Sequence, residues 1–317
     1  MIRFICKCAT AIVTCVILFT FIDLTILLSL TPYTKKRVAE SHEVNVLLSI
    51  DKLKEKESSR IILVGGSNVA LGVNSELIEE EFGRLIINTA VNAALGLEYQ
   101  INSIKRHLKD GDIVIVSPEY HQFYGDLYGN AYGMLMFSGI NYSKIIYDLP
   151  SHYLWYMRIL PSCICDTYKR MCQYANKKVA EDRGAYDRSA LNKYGDCILN
   201  REENKIYNGV DGRLNIEDFD HRAVRFLTEF SQSCIDSNIE LVLLPPVYQE
   251  SSYIKNEDAI NLVDIALKDA DIPFYSSPQK YCFDDSLFYD SPYHLNDKGI
   301  PIRTRYIIDD IRHLIKD

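Results

Sequence analysis

From Cys8 to Leu30 the chain runs CATAIVTCVILFTFIDLTILLSL, with Asp23 as its only formal charge. A helix rises about 1.5 Å per residue, so roughly 20 such residues cross the hydrocarbon core of a bilayer. A cleaved signal peptide would carry an apolar core of only about 7–15 residues before a small-x-small site. This run is longer, and LSLTPYTKK is a poor site, so a retained single-pass anchor is expected over residues 8–30. Lys7 and Arg3 lie before the run and Lys35, Lys36 and Arg37 after it, so the flanking charges set no orientation. Asp23 costs about 3 kcal/mol near a bilayer centre. It is read either as facing a membrane protein partner or as tolerated in a strongly apolar helix.

The anchor hides how acidic the rest of the chain is. The whole sequence has 35 Lys+Arg and 43 Asp+Glu. Residues 1–40 hold five basic and two acidic side chains, which leaves 30 basic against 41 acidic in the body, a net of -11. Such a body repels a phosphate backbone, so nucleic acid is not an expected partner. With 47% hydrophobic and 25% charged residues the proportions are globular. Of nine cysteines, Cys6, Cys8 and Cys15 belong to the anchor region. The other six form no C-x-x-C pair, and no His near Cys163 and Cys165 completes a zinc pattern. Free or structural thiols are expected, with no metal and no cofactor.

The sequence divides into an anchor and flank at 1–40, a polar tether or short helix at 41–58, and an α/β domain at 59–317. The β-branched run Ile61–Val64 ends in Gly65-Gly66 and reads as a buried strand. Helical stretches at Asn74–Phe82 and Leu97–Leu108 alternate with strands at Leu85–Asn88 and Asp112–Val116. This alternation implies parallel βαβ units with helices on both faces. It breaks at about 125–210, a tyrosine-rich stretch with a helical segment at Ser143–Ser162, expected to be an inserted helical cap or lid. It resumes with a helix at Ile216–Cys234, whose stripe Phe219, Ala223, Phe226, Phe230 and Cys234 packs on the sheet. A strand at Glu240–Leu244, a helix at Ala259–Ala270, a strand at Ile272–Tyr275 and a final helix near Thr304–Ile315 complete it.

In an open parallel sheet, ligands bind beyond the carboxyl ends of the strands. The loop after the first strand is Gly65-Gly66-Ser67-Asn68. It fits neither the dinucleotide fingerprint G-x-G-x-x-G nor the phosphate-binding G-K-[ST], and its competitor is an ordinary tight turn. A serine nucleophile needs a base. The loop Phe288–Asn296 before the last helix offers His294 and Asp290, and an Asp beside a His can fix its tautomer and stabilise the imidazolium. The other histidines (His42, His107, His121, His152, His221, His313) lack such a setting and are expected mostly in solvent.

A first-strand G-x-S loop, an Asn-containing second loop and a C-terminal Asp…His-Leu before the final helix resemble the SGNH (GDSL-like) hydrolase superfamily. The similarity is to its membrane-anchored branch, which includes proteins that acylate or deacylate surface polysaccharides. It covers roughly residues 60–125 and 238–317, and YDSPYHLNDKG is its more specific motif. The resemblance implies a flavodoxin-like three-layer sandwich around a central parallel sheet, and an extracytoplasmic domain. It implies Ser67 as nucleophile, His294 as base and Asp290 as orienting acid. The oxyanion hole is implied to comprise the Ser67 N–H and an N–H of Ala93 or Gly96. Three departures stand out. Gly66 replaces the usual Asp, Ser117-Pro118-Glu119-Tyr120 replaces G-x-N-D, and Asp290 stands four rather than three residues before the His. Asn92 and Asn68 are the candidates to replace the missing oxyanion Asn, and Glu119 reads as a structural carboxylate.

Two functions follow as expectations. One is a serine esterase or O-acyltransferase acting on small acyl esters, acetyl above all, of a cell-surface glycan. Tyrosines of the insertion would stack on sugar rings or simply form a helical cap. The other is a catalytically inactive SGNH-like protein that binds glycan or scaffolds a membrane polysaccharide assembly.

Overall fold

The computed structural model describes residues 2–55, 59–134, 136, 138, 140, 152–175, 184–199, 205–272 and 276–315. The chain divides into two compact units. One comprises Met1–Val38 and Asn130–Glu181, the other Ala39–Gly129 and Asp182–Asp317. The stretch expected as one insertion is thus divided between them.

The larger unit is built on a parallel four-stranded sheet in the order β2-β1-β3-β4, comprising β1 (Ile61–Gly65), β2 (Ile86–Asn88), β3 (Ile113–Ser117) and β4 (Glu240–Leu243). Every residue of β1, β2 and β3 is buried, which is why these strands read as unbroken apolar runs. Successive side chains point to opposite faces. Ile62, Val64, Val114 and Val116 join one core with Leu97 and Ile101 of α5 (Leu97–Lys105), Phe230 of α7 (His221–Asp236) and Ile260 of α8 (Glu250–Asp269). Ile61, Leu63, Ile113 and Ile115 join another with Ile78 of α4 (Ser75–Phe82) and Ile307, Ile308 and Ile311 of α9 (Gly299–Ile311). Helices therefore cover both faces, a three-layer α/β arrangement.

Local chemistry sets the helix ends. The Asn74 side chain accepts from the Glu76 N–H at 3.0 Å and Gly83 closes α4 in the left-handed region. Asp220 caps α7 in the same way. In the expected stripe, Ala223, Phe230 and Cys234 are buried, with Phe219 and Phe226 partly so. The expected strand at 272–275 is not seen at Ile272, and 273–275 lie outside the described residues. Instead, Tyr248–Gln249 (β5) pairs in parallel with Cys282–Phe283 (β6).

Residues 41–53, expected as a tether or short helix, are folded into this unit. They form a short 3-10 turn at His42–Val44 and α2 (Asn45–Leu53), and Val44, Val46 and Leu53 are buried. A buried ion pair ties α2 down. Arg60 meets Asp112 at 3.0 and 2.5 Å with neither side chain exposed, and its remaining donors reach the Leu53 and His107 carbonyls. Apolar periodicity and this arginine explain why a polar-looking segment joins the core.

The smaller unit contains most of α1 (Ile2–Ala39) and α6 (Tyr153–Ala175). Arg3–Ile22 of α1, with mean hydropathy 2.3, is long and apolar enough to cross a membrane. The Thr20 hydroxyl lies 3.3 Å from the Met157 sulfur, and that of Thr34 lies 3.3 Å from that of Ser138. Residues 143–151 of the expected helix at 143–162 lie outside the described residues, as does the Asp23 side chain. None of the nine cysteines is in a disulfide.

Candidate functional site

Strand order reverses between β1 and β3, and a parallel sheet opens its ligand crevice at such a point. Gly65 pairs with Ser117 across those strands. Two residues further along each, Ser67 and Glu119 meet, the Ser67 hydroxyl donating to Glu119 Oε1 at 3.4 Å. The same carboxylate oxygen accepts from the Asn68 N–H at 3.1 Å and from its Nδ2 at 3.2 Å. Glu119 is 3% exposed, and its other oxygen lies 3.7 Å from His121 Nε2. A Cβ on Gly66 would collide with Glu119 Oε1 and stand 2.7 Å from the Ala93 Cβ. The carboxylate therefore fills the place where a side chain at position 66 would be, which gives a physical reason for glycine there.

Helix α9 fixes this loop from the other side. Arg303 Nη1 donates to the Asn68 carbonyl, and Nη2 donates to Asn68 Oδ1 at 2.8 Å and Ser117 Oγ at 3.2 Å. Burial lowers the Arg303 pKa to about 10, against the raising effect of Tyr281 and Glu119. The guanidinium thus stays charged near neutrality.

The histidine loop arrives just before α9. It is a tight turn closed by the antiparallel bridge Phe288–Leu295 and by the Tyr289 N–H donating to the His294 carbonyl at 2.7 Å. The turn brings His294 Nδ1 to 2.7 Å from Asp290 Oδ1, so the four-residue spacing is accommodated. Burial pushes the Asp290 carboxyl up. The bond and charge of His294, the Tyr186 hydroxyl and Lys205 outweigh it and hold the carboxyl below the ordinary range. Next to His294, Tyr293 packs edge-on against the His121 ring at 5.8 Å, which links this loop to the Glu119 cluster. The Ser67 hydroxyl bonds to Glu119 and makes no hydrogen bond to His294.

The oxyanion candidates separate by which donors are already used. Asn68 is fully buried, and its N–H and side-chain amide bond Glu119 and Ser117. The Gly96 N–H is spent on the Ala93 carbonyl at 2.9 Å. Gly96 has φ +86, and its backbone is pressed against Gly129, which accounts for the glycine. The N–H groups of Ser67 and Ala93 have no acceptor among the described residues, and the Gly66 contact brings Ala93 beside the serine loop. Asn92 uses its oxygen to accept from Ala94 at 2.9 Å, and its amide N–H groups have no acceptor among the described residues. Ser67, Ala93 and Asn92 therefore retain open donors, whereas Asn68 and Gly96 do not.

Three contributors escaped the sequence reading. Arg303 had a signal, a charged residue on the apolar stripe of the last helix beside Ile300, Ile307 and Ile311. Tyr186 had none, since it lies in a short 3-10 turn of the insertion. His42, one of the six histidines expected mostly in solvent, is buried against the Tyr186 ring. Among the described residues no three His, Cys, Asp or Glu gather as a metal site. The chain matches no family model and no curated protein.

Proposed function

We propose that the protein is a membrane-anchored serine esterase or O-acyltransferase of SGNH type, acting on small acyl esters, acetyl above all, of a cell-surface glycan. The observation that carries this reading is the Asp290–His294 pair at 2.7 Å, on the loop leading into the helix whose Arg303 grips the Ser67 loop. In this mechanism the Ser67 hydroxyl turns from Glu119 to His294. Its oxygen attacks the acyl carbon while His294 takes the proton, and Asp290 stabilises the imidazolium. The N–H groups of Ser67 and Ala93 receive the oxyanion, a contribution of roughly 3 kcal/mol per donor in such sites. His294 then returns the proton to the leaving alcohol as the ester bond breaks. Water or a sugar hydroxyl releases the acyl group from Ser67 by the same steps in reverse.

A second reading, a catalytically inactive SGNH-like protein that binds glycan or scaffolds a membrane assembly, draws on one observation. The Ser67 hydroxyl bonds to Glu119 rather than to His294. The deciding experiment is hydrolysis of a chromogenic acetyl ester by the detergent-solubilised full chain, beside Ser67→Ala and His294→Ala. Turnover lost in both variants supports the enzyme. Absence of turnover in wild type moves binding ahead for those esters. A topology reporter at the C-terminus tests the compartment, and a cytoplasmic signal would contradict the surface-glycan substrate.

A further inference from the structure

We infer that Tyr186 is a positioning residue of the site, holding the Asp290–His294 pair through its hydroxyl and making the insertion part of the acid–base apparatus. This rests on the esterase reading. The Tyr186 hydroxyl donates to Asp290 Oδ2 at 2.6 Å, and its oxygen lies 3.0 Å from His294 Nδ1. The carboxylate is thus held at both oxygens, Oδ1 by the imidazole and Oδ2 by the phenol, which leaves it one orientation. Burial, then the charge of Asp290 and the bond to it, drive the phenol pKa well up, so the hydroxyl stays a donor.

Tyr186 is itself fixed. The His42 ring packs edge-on against it at 5.4 Å, with Nδ1 3.4 Å from the Tyr186 carbonyl. Ser41 bridges to Asp187, and the Arg188 N–H donates to the Glu40 carbonyl at 3.2 Å. The segment that follows the anchor helix therefore braces the turn that carries the phenol. The other titratable groups facing the pair are Lys205, Tyr207, Tyr289 and Cys197, besides His42.

The test uses full-length protein and Tyr186→Phe, which keeps the ring on His42. Two readouts are taken. The first is the Asp290 carboxyl titration by NMR with 13C-carboxyl aspartate, assigned by its loss in Asp290→Asn. The phenol helps hold that carboxyl down, so its midpoint rises in Tyr186→Phe. A midpoint that does not move overturns the inference, whether or not the protein hydrolyses esters. The second is a double-mutant cycle on acetyl-ester turnover. Tyr186→Phe lowers kcat roughly tenfold, the value of one hydrogen bond to a charged group, with KM little changed, and it adds nothing in an Asp290→Asn background. Full additivity overturns the inference while leaving the esterase intact. An inactive wild type with a shifted Asp290 midpoint overturns the esterase while leaving the positioning role.

Discussion

Ser67 and Glu119 meet because β1 and β3 are paired with a constant offset of 52 residues, Ile61 opposite Ile113 and Gly65 opposite Ser117, and that offset carries past the strand ends to positions 67 and 119. The contact is a consequence of register. It places a buried carboxylate on the Ser67 loop without any side chain at position 66.

Gly66→Ala tests that packing. The added Cβ would collide with the Glu119 carboxylate and the Ala93 Cβ. Overpacking of this kind costs about 1–3 kcal/mol. Thermal melts are expected to register that loss, with a smaller loss when Glu119→Ala is also present. Equal losses in the two backgrounds would remove Glu119 as the reason for the glycine.

The Arg303 clamp predicts a second loss. Arg303→Met keeps bulk but leaves the Asn68 carbonyl without its buried donor and leaves Asn68 Oδ1 only the Ser117 hydroxyl at 3.4 Å. Each such group costs about 1–3 kcal/mol when unsatisfied. A stability loss of at least that size, with ester turnover falling further than the melting temperature alone explains, is the expected result of denaturant melts and kinetics side by side.

The fold was legible where the physics is local. Ile61–Val64 and Asp112–Val116 are buried on both faces and read as runs, Asn74 is a cap, and the 219–234 stripe lies on the core. Of the three residues the motifs single out, Asp290 and His294 meet at 2.7 Å, as a tight Asp…His loop allows, while the Ser67 hydroxyl bonds to Glu119. Contacts made by register or by distant packing were not legible. Glu119 reaches Ser67 across 52 residues, Tyr186 reaches Asp290 across 104, and Arg303 reaches Asn68 across 235. The spent N–H of Gly96 and the open one of Ala93 depend on a 3-10 turn that GLE- and AAL-type sequence does not announce.

The folding of residues 41–53 onto the sheet predicts the effect of breaking the buried pair. Arg60→Ala removes the guanidinium and leaves the buried Asp112 side chain only the backbone N–H groups of residues 60 and 109; breaking a buried pair from one side costs about 3–5 kcal/mol. Denaturant melts should show it, and limited proteolysis should cut the chain near residues 41–53 more readily than in wild type. A variant as stable as wild type would mean that the pair does not hold α2.

Stability near Asp290 should depend on pH with a definite sign. Its folded pKa is depressed, so the stabilisation is present above the unfolded value of about 3.9 and is lost as pH falls through the folded value. The melting-temperature advantage of wild type over Asp290→Asn is expected to be full above about pH 4 and to close at lower pH. An advantage that grows on acidification would contradict the assignment.

The central claim, a reactive serine at the end of β1, is tested most directly by a fluorophosphonate probe on the full-length chain, with the labelled peptide identified by mass. The account predicts a single adduct on Ser67, absent in Ser67→Ala and lowered about a hundredfold or more in His294→Ala, within the range general-base catalysis contributes. An adduct on another residue, or no adduct together with no acetyl-ester turnover, would contradict it.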